Sequence, residues 1–290
     1  MIREITRKLY ADTPNETLYH YTTFSGLLGI IGSRSLWASD IRYMNDSAEL
    51  KHTADLIRKE ITTRITAGHP NPNLLNQFLD WISHRMTNGH LLFGTSFRSN
   101  GNLLSQWRGY SRLGKGVSIG FTPEYIQKCA QSQTFQIGKC IYHPQEQQRL
   151  IAKVIDAVEN IADQRKVKTD SGAPSYSKIF KNIESDLLRL AAVLKHPSYE
   201  EEAEWRIVSP VITDYLNADI HFREGESNLI PYVKFKLSGD LRKPVVIEHI
   251  YLGPTPSTTI SMNSLNMYLT KNGVTPNRGI DYCQIPYRQK

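Results

Sequence analysis

Four short segments carry the residue types that can do chemistry. Residues 18–23 read LYHYTT. Alternate side chains of a strand share a face, so His20 goes with Thr22 and Tyr19 with Tyr21. An imidazole beside a hydroxyl suits a ribose or an amide, because both groups donate and accept hydrogen bonds. A half-buried strand with a satisfied histidine would read the same way. Residues 200–208 read EEEAEWRIV. Alternation sends Ala203, Trp205 and Ile207 to a core and leaves Glu202, Glu204 and Arg206 on the other face. Glu204, at the edge of the ordered strand, could stabilise developing positive charge or accept a proton. A solvated acidic face is the plain alternative.

Residues 96–121 form a loop-rich stretch holding Arg98, Gln106, Trp107, Arg108, Tyr110 and Arg112. Arginines among aromatics suit phosphate contact and base stacking. A surface loop with buried aromatic anchors is the alternative. Gly114, Gly116 and Gly120 precede a strand and do not open a helix, so they are not a dinucleotide fingerprint. In residues 39–50, SDIRYMNDSAEL, Asn45 and Asp46 are explained as helix caps, and Glu49 adds capping-box spacing. Arg42 and Tyr43 have no such local explanation, which leaves them free for a ligand. The nine histidines do not cluster, and HExxH, CxxC and GxSxG are absent from the sequence, so no metal is expected.

These segments must be positioned by a chain of 290 residues, 40% apolar and 22% charged, which are globular values. The net charge of +7 favours polyanionic partners such as DNA or RNA, although the basic residues are scattered. No apolar run approaches the roughly 18–20 residues of a membrane span. The charged start MIREITRK lacks the apolar stretch of a secretory signal. Cys129, Cys140 and Cys283 fit neither a disulfide framework nor a zinc site, so a cytoplasmic location is expected.

Helical spacing appears at Phe24, Leu27, Leu28 and Ile31, and again at Leu50, Ala54, Ile57, Ile61 and Ile65. Further helices are expected over 74–86, 147–166, 176–195 and 261–269. Strands are expected at 18–22, over the SLWAS segment, and at 91–97, 116–121, 135–142, 203–208, 232–237 and 245–252, with another near His221. Strands and helices do not alternate regularly, which points to α+β and not to a doubly wound parallel sheet. The expected organisation is one α+β domain over 1–290, with a helical insertion at about 144–200.

Taken together, LYHYTT, LWASDIRYMND, SF…LLSQWRGY…GVSIGF, EEAEWRIV, IPYVKF and IYLGP resemble domain-of-unknown-function family 2971. The opening LYHYTTFSGLLGIIGSRSLWAS also resembles, more distantly, the DarT-type toxins, ADP-ribosyltransferases that act on DNA bases. That resemblance implies a split, mixed or antiparallel sheet with packed helices, and NAD as substrate. It implies His20 at the nicotinamide ribose, Thr22 at the amide, with Tyr21, Arg42 and Tyr43 nearby. Glu204 would be catalytic and Glu202 accessory, while Arg98, Gln106, Trp107, Arg108 and Tyr110 would meet the acceptor. The family's target-binding arginine has no secure counterpart here. The implied function is an ADP-ribosyltransferase-like enzyme, with nucleic acid as the candidate acceptor and a role as bacterial toxin or phage-defence effector. An NAD glycohydrolase and a non-catalytic nucleotide- or nucleic-acid-binding module are the alternatives. Three expectations follow from this reading. His20, Thr22 and Glu204 line one cleft. Arg98, Arg108 and Arg112 form a basic lip beside it. Glu204→Gln abolishes turnover while the fold survives.

Overall fold

The protein is described by a computed structural model covering residues 2–44, 48–110, 116–164, 175–238 and 243–284. It is α+β, built on a mixed, mostly antiparallel ten-stranded sheet. After helix α1 (Ile2–Leu9) comes β1 (Leu18–Thr22), then α2 (Phe24–Ser33). Thr23 caps α2 by accepting a hydrogen bond from the Gly26 amide, and Arg34 ends it in the left-handed region. Then follow β2 (Ser35–Asp40), a 3-10 turn (Ile41–Tyr43), α3 (Ala48–Thr66) and α4 (Pro72–Asn88). Asn71 caps α4 ahead of Pro72, which has no amide hydrogen to leave unsatisfied.

Next are β3 (Phe93–Arg98), α5 (Leu104–Tyr110), β4 (Val117–Phe121), α6 (Pro123–Ser132) and β5 (Gln136–Lys139). Helices α7 (Pro144–Gln164) and α8 (Ser177–Ala191) lead through a second 3-10 turn (Pro197–Glu202) into β6 (Glu204–Val208). The chain closes with β7 (His221–Glu224), β8 (Leu229–Lys236), β9 (His249–Leu252), α9 (Thr258–Lys271) and β10 (Ile280–Tyr282). The stretch expected to be a loop around Gln106 is therefore partly helical. Its helix is seven residues long with Gly109 inside it, too brief for a periodic signal.

The strand order is β10-β9-β4-β1-β3-β2-β8-β7, with β6 paired to β3 and β5 paired to β6. The sheet forks at β3. One edge of β3 is paired with β6 along Gly94–Arg98. Among the described residues β1 meets β3 only through Tyr19↔Arg98, whereas β2 meets it through Ser39↔Gly94 and Asp40↔Phe93. Both strands thus attach at opposite ends of β3 and diverge between, and α2 connects them across the gap.

Cross-strand partners share a face, so the register assigns side chains to the two sides of the sheet. The front face carries Tyr19, Tyr21, Trp37, Ser39, Ser96, Arg98, Glu204 and Arg206. The back face carries His20, Thr22, Leu36, Phe97, Trp205 and Ile207. Over β3 and β6 the front is covered by an apolar layer from α1, α3, α4, α7 and α8, with Val208 reaching into it. Helices α2, α6 and α9 cover the back with a second cluster around Phe97, Phe121 and Phe235. The helices expected at 144–200 are α7 and α8, and both bury residues in the front cluster. Among the described residues no helix is long and apolar enough to cross a membrane.

Candidate functional site

A cavity of about 500 Å³ opens in the fork, a size within the usual range for small-molecule sites. Strand β1 lines it with His20 and Thr22, and α2 with Ser25, Gly26 and Gly29. Strand β2 and the following turn contribute Trp37, Ser39 and Tyr43. Strand β3 offers Thr95, Ser96 and Arg98, α5 offers Gln106, and β7 offers Arg223. Position 26 is glycine for a packing reason: a Cβ there would lie 1.9 Å from Thr22 Oγ1.

His20 sits where β1 leaves β3. Its Nδ1 lies 3.0 Å from the Ser96 carbonyl oxygen. A carbonyl only accepts, so Nδ1 carries the proton and Nε2 is left as an acceptor. Burial, aided by the positive Arg98, lowers the His20 pKa against the opposing pull of that carbonyl. The ring is therefore neutral at neutral pH. Gln106 is 3% exposed, and its Nε2 reaches Glu202 Oε1 at 3.4 Å. Its Oε1 is buried and has no hydrogen-bond partner among the described residues.

Glu204 does not line this cavity. It is 0% exposed and projects from the front face, opposite to the back-face position of His20 and Thr22. The expected shared cleft of His20, Thr22 and Glu204 is thus corrected: the fork exposes the first two and covers the third. The Glu202–Glu204–Arg206 face is not a sheet edge either, because the helical layer closes over it. Within that layer Glu204 accepts hydrogen bonds from Lys195 Nζ at 2.6 Å and Arg206 Nε at 2.9 Å. Ser96 Oγ also donates to it, and Arg98 stands 3.5 Å away. Glu202 binds Arg98 at 2.7 Å and also Lys195. Burial alone would raise the Glu204 pKa; Arg206, Arg98 and Lys195 outweigh it and hold the carboxyl well below the usual range. A carboxylate so strongly ionised is a weak general base, though its charge is felt one side chain away through Ser96.

The chain builds this cluster from long-range parts. Lys195 follows α8 and is fixed by backbone bonding to Ile141 and by Gln147 of α7. Ala203 takes a left-handed conformation, φ 41°, where the 3-10 turn becomes β6. The other predicted residues divide. Tyr21 and Tyr43 line the cavity, whereas Arg42 does not; it forms a two-pronged pair with Asp40 at 2.5 and 3.0 Å. Trp107 is a core anchor against Tyr21, with ring centroids 4.8 Å apart. Arg108 is exposed and does not line the cavity. Of the expected lip, Arg98 lines the cavity and Arg108 does not. Arg112, Gly114, Asn45, Asp46 and the side chains of Glu49 and Tyr110 lie outside the described residues.

Sequence reasoning missed Ser96, Lys195, Trp37, Ser39 and Arg223. The alternation of Gly94, Ser96 and Arg98 could have flagged Ser96. Nothing local marks Arg223, because it reaches the fork only through the pairing of β7 with β8 and of β8 with β2.

No curated protein and no solved structure matches the chain. The family model described as "Protein of unknown function (DUF2971)" matches residues 106–207, so the resemblance to that family, read from the sequence motifs, holds across the span that contains Gln106, Lys195, Glu202, Glu204 and Arg206.

Proposed function

We propose that the fork binds NAD and that the protein is an ADP-ribosyltransferase-like enzyme. The observation that carries this reading is the cavity between the diverging strands, with neutral His20 and Thr22 on one wall and Gln106 and Arg98 on the other. His20 Nε2 suits a ribose hydroxyl. Arg223 forms no ion pair among the described residues and suits the pyrophosphate. When the C1′–N bond breaks, its electron pair leaves with nicotinamide and the ribose gains oxocarbenium character, as in glycoside cleavage. An acceptor nucleophile then bonds to C1′ and sheds its proton to solvent. In this reading Glu204 acts on the cavity through Ser96, as a fixed negative charge and not as a base. Cytoplasmic placement and a toxin or phage-defence role belong to the same proposal. Cys129, Cys140 and Cys283, all free thiols, suit a reducing compartment.

The burial and pairing of Glu204 favour a second reading, in which the fork binds the nucleotide without turning it over. Calorimetric titration with NAD, followed by chromatographic measurement of nicotinamide release with DNA or RNA present, separates the two. The proposal expects binding and release. Ser96→Ala should then cut release by about 100-fold, the usual cost of one electrostatic contact, at nearly unchanged NAD affinity. Binding without release establishes the second reading. Free ADP-ribose as sole product identifies a glycohydrolase. Absence of NAD binding overturns both readings.

A further inference from the structure

The front face of the sheet is covered over β3 and β6, whereas over β2 and β8 it exposes Trp37, Lys234 and Lys236. On that wing the register aligns Trp37 with Lys234 and Ser35 with Lys236, and Tyr232 with both Ser39 and His221. Arg223 pairs with Ile230 and so joins the same face. Trp37 is 44% exposed, and Lys234 and Lys236 are exposed beside it. The indole stacks on Tyr232 with ring centroids 4.5 Å apart, and Tyr232 stacks on His221 at 5.4 Å. The Trp37 ring is thus held flat by its neighbour while much of it meets solvent.

Among the described strand residues the charge on this face is of one sign. Among the described residues Lys234, Lys236 and Arg223 have no carboxylate partner. Asp219 is paired with His221 at 3.2 Å, and Glu224 alternates to the opposite face. Trp37, Ser39 and Arg223 also line the cavity, so the strip runs into the fork.

We propose that this wing binds single-stranded nucleic acid, with an unpaired base stacked on Trp37 and the phosphates along Lys234 and Lys236. Fixed aromatic rings accept any base by its face, and lysines beside them track a backbone without reading sequence. A duplex is disfavoured, because its bases are already stacked on one another and the wing offers no helix to enter a groove. The strip ends at the cavity, so a strand lying on it would deliver a nucleotide there. That last step rests on the NAD reading; the binding itself does not.

The test is fluorescence anisotropy with labelled oligo(dT), oligo(U) and a duplex of the same length, without NAD. The wild type should bind both single strands more tightly than the duplex. The plot of log K against log salt should have a negative slope of about 0.7 per phosphate contact for single strands. Trp37→Ala should weaken binding about tenfold, the scale of one base–aromatic stack. Lys234→Glu with Lys236→Glu should weaken it further and flatten the salt slope by about 1.4, while melting temperature and NAD affinity stay unchanged. Equal affinity in these variants, or preference for the duplex, overturns the proposal. Binding to phosphatidylserine vesicles but not to either oligonucleotide also overturns it. A protein that binds NAD and no oligonucleotide sinks this inference alone; the converse sinks the NAD reading alone.

Discussion

The front of the sheet holds two groups of cations that the chain treats in opposite ways. Over β3 and β6, Arg98, Lys195 and Arg206 are buried and matched to Glu202 and Glu204. Over β2, β8 and β7, Lys234, Lys236 and Arg223 stand beside exposed Trp37 with no carboxylate partner among the described residues. Charge alone does not separate the two groups; coverage does. Where helices exclude water, a cation needs an internal counter-charge, since desolvating it alone costs several kcal/mol. Where no helix packs, a cation remains solvated and keeps its field for a ligand. The contrast also explains why an acidic cluster beside the proposed site need not be its catalytic centre.

The largest effect that would break this comparison is at Glu204. Glu204→Gln removes the carboxylate that buried Lys195 and Arg206 share, leaving Lys195 with Glu202, and a broken buried pair costs about 3–5 kcal/mol. We expect a large fall in the urea midpoint, in contrast to the intact fold expected from the sequence. If the variant unfolds at the wild-type midpoint, the cluster is not a stability element and Glu204 regains its freedom for catalysis. Stability in acid sharpens the same point with two different signs of environment. The Glu204 pKa is lowered in the fold, so its stabilisation is present above the ordinary carboxylate value of about 4.3 and is lost as pH falls below it. The His20 pKa is also lowered, so the unfolded chain takes its proton first once pH drops below about 6.5. Melting temperature followed from pH 7 to 3 should fall gently and then steeply. His20→Gln should remove part of the gentle phase alone. A His20→Gln curve that overlays the wild type from pH 6.5 to 5 would contradict the burial of that ring.

The smallest expected effect lies at the entrance to β6. Ala203 holds a left-handed backbone, which costs a residue with a Cβ roughly 1 kcal/mol relative to glycine. Ala203→Gly should therefore leave stability unchanged or raise it by up to about 1 kcal/mol, part of the gain being offset by the freer unfolded chain. A clear loss in thermal unfolding would show that the methyl group packs within the covered cluster.

Local sequence was enough to define most elements of this fold. Period-2 runs at Leu18–Thr22 and Glu204–Val208 are strands, and helical spacing from Leu50 to Ile65 falls within α3. The α+β class also follows, since it depends on the order of elements and not on their contacts. Which face a side chain occupies was only half legible. Alternation correctly paired His20 with Thr22 and Glu204 with Arg206, because it is a property of one strand. The relation between the two pairs was hidden, because it passes through Tyr19↔Arg98 and Arg98↔Glu204, two long-range registers. Coverage was hidden for the same reason. The segment EEEAEWRIV looks like an exposed edge until α7 and α8 bring Lys195 against it, and HFRE looks like an ordinary hairpin strand until β8 joins it to β2. Sequence sets the alternation within each strand; only the tertiary structure decides which strands diverge to leave a cavity and which face the helices close, because both depend on contacts between residues far apart in the chain.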